Sequence, residues 1–88
     1  MADEDNQKSP LDALQDTLSR SKEMEHYSQA NIAKLAALWL EVSEHKDQKQ
    51  YEKIVDEVLK RQNQFQESIS ALIEAYEKDA ARLKADAA

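Results

Sequence analysis

The chain has 88 residues and a formal charge of −6, with 18 Asp and Glu against 12 Lys and Arg, no Cys, no Gly and one Pro. The absence of Cys excludes disulfide frameworks, thiolate metal sites and Cys nucleophiles. The absence of Gly disfavours tight β-hairpins and phosphate-binding loops, because both rely on glycine at positive φ. Nucleic acids and anionic membranes are bound through clustered Lys and Arg, so an acidic chain is expected to bind neither.

No part of the sequence is apolar for long enough to cross a bilayer. The longest uninterrupted apolar run covers residues 35–40, whereas a transmembrane helix needs roughly 20 such residues. The N-terminus is acidic and lacks the apolar stretch of a secretory signal. We therefore expect a cytoplasmic protein without a transmembrane segment.

The first helix is predicted to begin at Ser9. Residues 1–8 are polar and acidic without periodicity, which is typical of a disordered tail. Ser9 is a favourable N-cap residue, and Pro10 follows at the first helical position, where its missing N–H costs nothing. Asp12 adds a negative charge to the first turn, which favours the same helix start.

Apolar residues then recur at intervals of three and four, in two series that each predict an amphipathic helix. The first series is Leu11, Leu14, Leu18, Ser21, Glu25, Ser28, Ile32, Leu35, Trp39 and Val42. The second series is Tyr51, Val55, Val58, Gln62, Phe65, Ile69, Leu72, Tyr76, Asp79 and Leu83. We expect helix one over about 10–45, helix two over about 48–84, and a frayed C-terminus over 86–88.

A turn between the two helices is predicted over about 44–48. One uninterrupted helix would continue the first series into charged residues, which would then lie in its own interface. Asp47 and Gln50 have the spacing of a capping box and could begin helix two. The fold predicted over 9–85 is therefore an all-α antiparallel two-helix hairpin with coiled-coil-like packing. A continuous helix with a break in phase is the alternative.

The predicted register leaves the middle of the hairpin poorly matched. It places Ser21, Glu25 and Ser28 of helix one opposite Leu72, Ile69 and Phe65 of helix two. It also places Gln62 opposite Ile32, where a single polar group can fix the register of a coiled coil. Half-covered apolar side chains in this region predict that another helix pair or a partner packs over them.

A second apolar surface is predicted around residues 32–42, where apolar side chains surround the helix. The candidate interface residues are Ala33, Ala36, Ala37, Leu38, Trp39, Leu40, Ile54, Val58 and Leu59. A homodimer that forms a four-helix bundle would bury them. The alternatives are docking of a different protein with Trp39 as the anchor, and adsorption on a lipid surface, which usually favours a basic polar face.

Few residues in the chain suggest chemistry. Glu23 and His26 have the Glu-x-x-His spacing found in carboxylate-bridged metal bundles, but one copy without converging carboxylates is a weak signal. No nucleophile is placed beside a base, and two thin helices seldom provide a shaped pocket. We therefore expect neither an enzyme nor a bound cofactor.

The function predicted from the sequence is a non-catalytic protein–protein interaction or assembly module that uses an apolar helix face. The competing hypothesis is an acidic inhibitor, similar to an antitoxin, that covers a basic surface with Asp3, Glu4, Asp5, Asp56 and Glu57. A metal-binding helical bundle is a minor alternative.

Overall fold

A computed structural model of the chain describes residues 9–87. The tail predicted over 1–8, and residue 88 of the predicted frayed end, lie outside the described residues. Within them the chain forms helix α1 (Pro10–Glu44), a 3-10 segment (Lys46–Tyr51) and helix α2 (Glu52–Ala87), without a strand. Side chains of the two α-helices contact each other far apart in sequence, for example Ser28 with Gln62. The predicted all-α helical hairpin is therefore confirmed.

Helix α1 begins as its sequence predicts. Ser9 is extended, with φ −66° and ψ 157°, and its Oγ accepts a hydrogen bond from the backbone N–H of Asp12 at 3.0 Å. The Ser9 carbonyl accepts a second bond from the Ala13 N–H at 3.0 Å. The cap thus satisfies an N–H group that the first helical turn leaves without an intrahelical partner.

Replacing Ser9 with Ala is expected to lower the free energy of unfolding by about 1 kcal/mol, because the Asp12 N–H loses its acceptor. Urea unfolding followed by circular dichroism measures the change. Ser19→Ala is the matched control at an exposed position within α1, where Ala is the better helix former. Equal destabilisation by the two variants would contradict the capping role.

The chain turns without glycine by breaking α1 at a single extended residue. His45 has φ −94° and ψ 120°, and its N–H donates to the Glu41 carbonyl at 3.2 Å. A 3-10 segment follows, and within 9–87 no residue has a positive φ. The capping box expected at Asp47 and Gln50 does not start a helix, because both residues lie inside that segment. The alternative of one phase-broken helix is excluded.

Helix α1 turns the expected series of residues toward α2. Every member from Leu11 to Val42 is buried or half-buried, and Ser21, Ser28 and Val42 are the most buried residues of the helix. The intervals of three and four along α1 therefore identified its packing face correctly. Small serine side chains occupy two of the most buried positions of that face.

Helix α2 packs on a different face from the one predicted. Ile69 and Ile73 are buried, with 6% and 7% of their surface exposed, whereas Phe65 and Leu72 are 45% and 41% exposed. The residues turned toward α1 are Val55, Leu59, Gln62, Gln66, Ile69, Ile73, Tyr76, Ala80 and Leu83. In this series Leu59, Gln66, Ile73 and Ala80 replace the predicted Val58, Phe65, Leu72 and Asp79. The predicted register of α2 was therefore wrong.

The hairpin is a single layer of helices with a small core. Among residues 9–87 the buried apolar side chains are those of Val42, Ile69, Ile73 and Ala80. The molecule is elongated, with extents of 62 Å by 30 Å by 14 Å, and it contains only these two packed α-helices among the described residues. Domains usually bury their apolar faces between two packed layers, so both broad sides of this hairpin are open.

Candidate protein interaction surface

A cluster of polar side chains, here called the polar layer, joins the two helices at mid-length. It consists of Glu25, Ser28, Gln62, Gln66 and Ser70. Gln62 Nε2 donates to Ser28 Oγ at 2.9 Å, and Ser70 Oγ donates to Glu25 Oε2 at 2.6 Å. Gln66 Nε2 lies 3.3 Å from the same carboxylate oxygen and 3.2 Å from Ser70 Oγ.

The sequence predicted polar side chains of α1 opposite apolar side chains of α2. In the structure, the polar layer instead places polar side chains of both helices against each other. Ser28 and Glu25 face amide and hydroxyl groups of α2 instead of Phe65 and Ile69. Half-buried polar groups are costly unless they are hydrogen-bonded. Packing Gln62 and Gln66 against Ser28 and Glu25 gives both amide nitrogens an acceptor, although Gln66 Oε1 is buried without a hydrogen-bond partner. The same packing turns Phe65 away from α1.

That rotation of α2 leaves large apolar side chains on one broad side of the hairpin. Residues 9–87 expose nine of them, and eight form what we call the apolar face: Met24, Tyr27, Leu38, Tyr51, Ile54, Val58, Phe65 and Leu72. Val58, Phe65 and Leu72 follow one another at intervals of seven residues, which places them in one row along α2. Tyr51 is the last residue of the 3-10 segment, just before α2 begins.

A groove between the helices runs along the apolar face. The part of the groove at the level of Ser28, here called the upper part, has a volume of about 540 Å³. It is lined by Met24, Tyr27, Ser28, Asn31, Val58, Arg61, Gln62 and Phe65. A smaller depression next to it, of about 250 Å³, shares Met24 and is lined further by Thr17, Arg20, Ser21, Leu72 and Tyr76. The floor of the groove is the α1–α2 interface, and its walls are apolar side chains from both helices.

The charged side chains that line the groove are both arginines. Arg61 lines the upper part, and Arg20 lines the adjoining depression nearer the N-terminus of α1. The lining residues include no carboxylate. Arg61 Nε also contacts Glu57 Oε2 at 3.2 Å on the exposed surface of α2. The groove lining therefore carries two positively charged side chains, although the net charge of the chain is −6.

The candidate interface residues do not lie on one surface. Trp39 is half-buried toward α2, and successive helical residues are about 100° apart, so Leu38 and Leu40 lie on opposite sides of it. Leu38 lies seven residues after Asn31, a groove residue, and therefore belongs to the groove side.

The other candidates divide in the same way. Ile54 and Val58 belong to the apolar face, whereas Leu59 is half-buried in the hairpin interface. Ala33, Ala36 and Ala37 are exposed and, like Leu40, contribute nothing to the groove lining. The structure thus brings together three of the nine candidates, Leu38, Ile54 and Val58.

The candidate interface residues omit five members of the apolar face: Met24, Tyr27, Tyr51, Phe65 and Leu72. For Phe65 and Leu72 the sequence did predict that another helix pair or a partner packs over them. The seven-residue spacing in α2 was visible, but it was assigned to the hairpin seam. The available signal was that α2 has apolar residues at three positions of its seven-residue repeat, which form three columns along the helix. A two-stranded seam needs only two, and a third is typical of a helix that packs against further helices.

The residues considered for metal binding do not form a site. Within 9–87 no group of three or more His, Asp or Glu side chains is close enough to hold a metal ion. Glu23 and His26 are exposed on α1, and the His26 ring packs edge-on against Tyr27 with 5.7 Å between ring centroids.

The fold and this surface define the class of the protein as an antiparallel α-helical hairpin with one broad apolar side. No helix in the described part of the chain combines the length and the apolar character needed to cross a membrane. Compared with protein-family models, with curated proteins and with solved structures, the chain matches none of them.

Proposed function

We propose that this chain is a non-catalytic protein interaction module that binds a helical partner surface through its apolar face. The observation that carries the proposal is the row of Val58, Phe65 and Leu72, exposed along a side of α2 that the hairpin leaves open. Soluble monomers rarely expose a large contiguous apolar patch unless it has a binding role.

The size of the apolar face suits a helical partner. Val58 and Leu72, the ends of the row, are 14 residues apart in α2, which is about 21 Å of helix at 1.5 Å per residue. An apolar groove of this length between two helices is the kind of surface that takes up the apolar stripe of another helix. Its aromatic members, Tyr27, Tyr51 and Phe65, belong to the residue types that dominate interface energetics.

The acidic-inhibitor hypothesis has less support. Asp56 and Glu57, which it requires to meet a basic partner, lie 3.2 Å from Lys60 and Arg61, so this stretch of α2 offers a partner two positive charges for its two negative ones. Asp3, Glu4 and Asp5 lie outside the described residues. A cytoplasmic location, a homodimer and the absence of enzymatic activity remain predictions from the sequence.

Replacing Phe65 and Leu72 with Ser together tests the proposal. Both side chains are more than two-fifths exposed, so the variant is expected to fold while its association weakens by about tenfold or more, as loss of central apolar contacts does. The readouts are the solution mass by light scattering and the proteins retained by the immobilised chain.

Leu40→Ser is the matched control, because Leu40 is 57% exposed but lies outside the apolar face. Its association is expected to equal that of the wild type, and circular dichroism checks the folding of each variant. Unchanged mass and unchanged retention for Phe65→Ser with Leu72→Ser would overturn the proposed function.

A further inference from the structure

The two groove arginines indicate which helix the apolar face binds. We propose that the groove takes up a single amphipathic α-helix of a different protein, with carboxylates along both edges of its apolar stripe. This inference rests on the proposed function and adds the chemistry of the partner to it. The argument depends on Arg20, Arg61 and the apolar side chains between them.

The two arginines lie on opposite walls of the groove and at different positions along its length. Arg20 is on α1 and Arg61 is on α2, next to Gln62, which bonds Ser28 across the hairpin. Arg61 is therefore close to the level of Ser28. Because Arg20 precedes Ser28 by eight residues, it lies about 12 Å closer to the N-terminus of α1 along the helix axis.

A helix lying between these walls would pass one arginine on each side. Its acidic residues would therefore lie on opposite edges of its apolar stripe, separated by about two helical turns. Guanidinium groups recognise carboxylates through paired hydrogen bonds and are weakly hydrated. These properties suit the edge of an apolar groove, where a Lys of the partner would instead meet like charge.

The contact of Arg61 with Glu57 does not prevent this role. Both side chains are more than half exposed, and exposed ion pairs between residues four apart contribute little to stability. A guanidinium also has five N–H donors, more than one carboxylate uses. Arg61 can therefore keep Glu57 or exchange it for a carboxylate of the bound helix.

A second copy of the chain complements the groove less well. In a two-fold dimer the same patch of both subunits meets, so each groove would face another groove. The charged lining residues are Arg20 and Arg61, and no carboxylate is among them. Salt screens interactions beyond about 8 Å at physiological ionic strength, so acidic residues far from the groove do not compensate. Glu57 is within that range, and in each copy it already contacts Arg61 of its own chain.

The test uses the full chain and two designed, fluorescently labelled helical peptides. Both carry the same apolar stripe, and they differ only at two edge positions eight residues apart, which are Glu in one peptide and Lys in the other. Fluorescence anisotropy measures the affinity of each. We expect the Glu peptide to bind roughly tenfold more tightly, as two attractive pairs replace two repulsive ones.

Charge reversal in the protein should invert this preference. Arg20→Glu with Arg61→Glu is expected to bind the Lys peptide better than the Glu peptide. Lys53→Glu with Lys60→Glu is the matched control, because it makes the same change at exposed α2 positions outside the groove lining and also breaks an ion pair four residues apart. The control should keep the wild-type preference.

Three results would overturn the inference. The first is equal binding of both peptides; if Phe65→Ser then removes both, the proposed function stands and only the charge requirement fails. The second is no binding of either peptide. The third is a stable dimer in light scattering that excess Glu peptide does not dissociate, which would identify a second copy as the occupant.

Discussion

Replacing Ile73 with Ala is expected to lower the free energy of unfolding by about 2–4 kcal/mol, whereas Leu72→Ala should cost about 1 kcal/mol or less. The two residues are neighbours with similar side-chain volumes, but Ile73 is 7% exposed and Leu72 is 41% exposed. Ile73 is one of the few buried apolar residues, so its truncation leaves a cavity in a small core. Leu72 loses only part of its contacts.

Urea unfolding at one fixed protein concentration measures both variants, since self-association would make the stability depend on concentration. Trp39, the single tryptophan, is half-buried between the helices and reports their separation by fluorescence. If Leu72→Ala destabilises the protein more than Ile73→Ala does, the result would support the packing face of α2 that was predicted from the sequence. Equal losses would mean that both faces of α2 are covered in solution.

The α1 half of the fold was predictable because its sequence allows one solution. Ser9 and Pro10 mark its start with known capping chemistry, and the apolar intervals from Leu11 to Val42 have no competing series of comparable quality. Polar members such as Ser21 and Ser28 did not disturb this assignment, because they continue the period. The structure buries both of them.

The packing face of α2 was ambiguous because this helix has three neighbouring columns of mostly apolar residues, with the residues of each column spaced seven positions apart. The middle column is shared, because it can combine with the column on either side of it. Val55, Ile69 and Tyr76 belong to the shared column, which can be paired either with the Val58 and Leu72 column or with the Leu59 and Ile73 column. Both pairings have intervals of three and four, so periodicity cannot choose between them. Contacts across the hairpin decide, and they are not visible in one helix alone.

The groove and its arginines depended on that choice. Once Ile73 faces α1, Leu72 and Phe65 point outward and Arg61 reaches the groove lining. Sequence reasoning expected a partner over this region, but it placed the candidate interface around Trp39. The turn was equally hard to derive, because a glycine-free chain gives no strong signal for a break at His45.

Glu25 is expected to stabilise the hairpin in the register seen here. Glu25→Ala should cost about 1.5–3 kcal/mol, because hydrogen bonds to a charged group are stronger than neutral ones. Ser70 Oγ, 2.6 Å from the carboxylate, loses its acceptor, and Gln66 Nε2, at 3.3 Å, loses one of its two acceptors. Glu23→Ala is the matched control at an exposed α1 position and should change the stability by about 0.5 kcal/mol or less.

A double-mutant cycle assigns the loss to the contact across the hairpin. Glu25→Ala, Ser70→Ala and the double variant are unfolded in urea under the same conditions, and the coupling energy is the departure from additivity. We expect a coupling of about 1 kcal/mol or more, because Ser70 Oγ donates directly to the Glu25 carboxylate. Additive losses would show that the two residues act separately. The polar layer would then no longer explain why α2 presents Ile73 to α1 and leaves Leu72 on the apolar face.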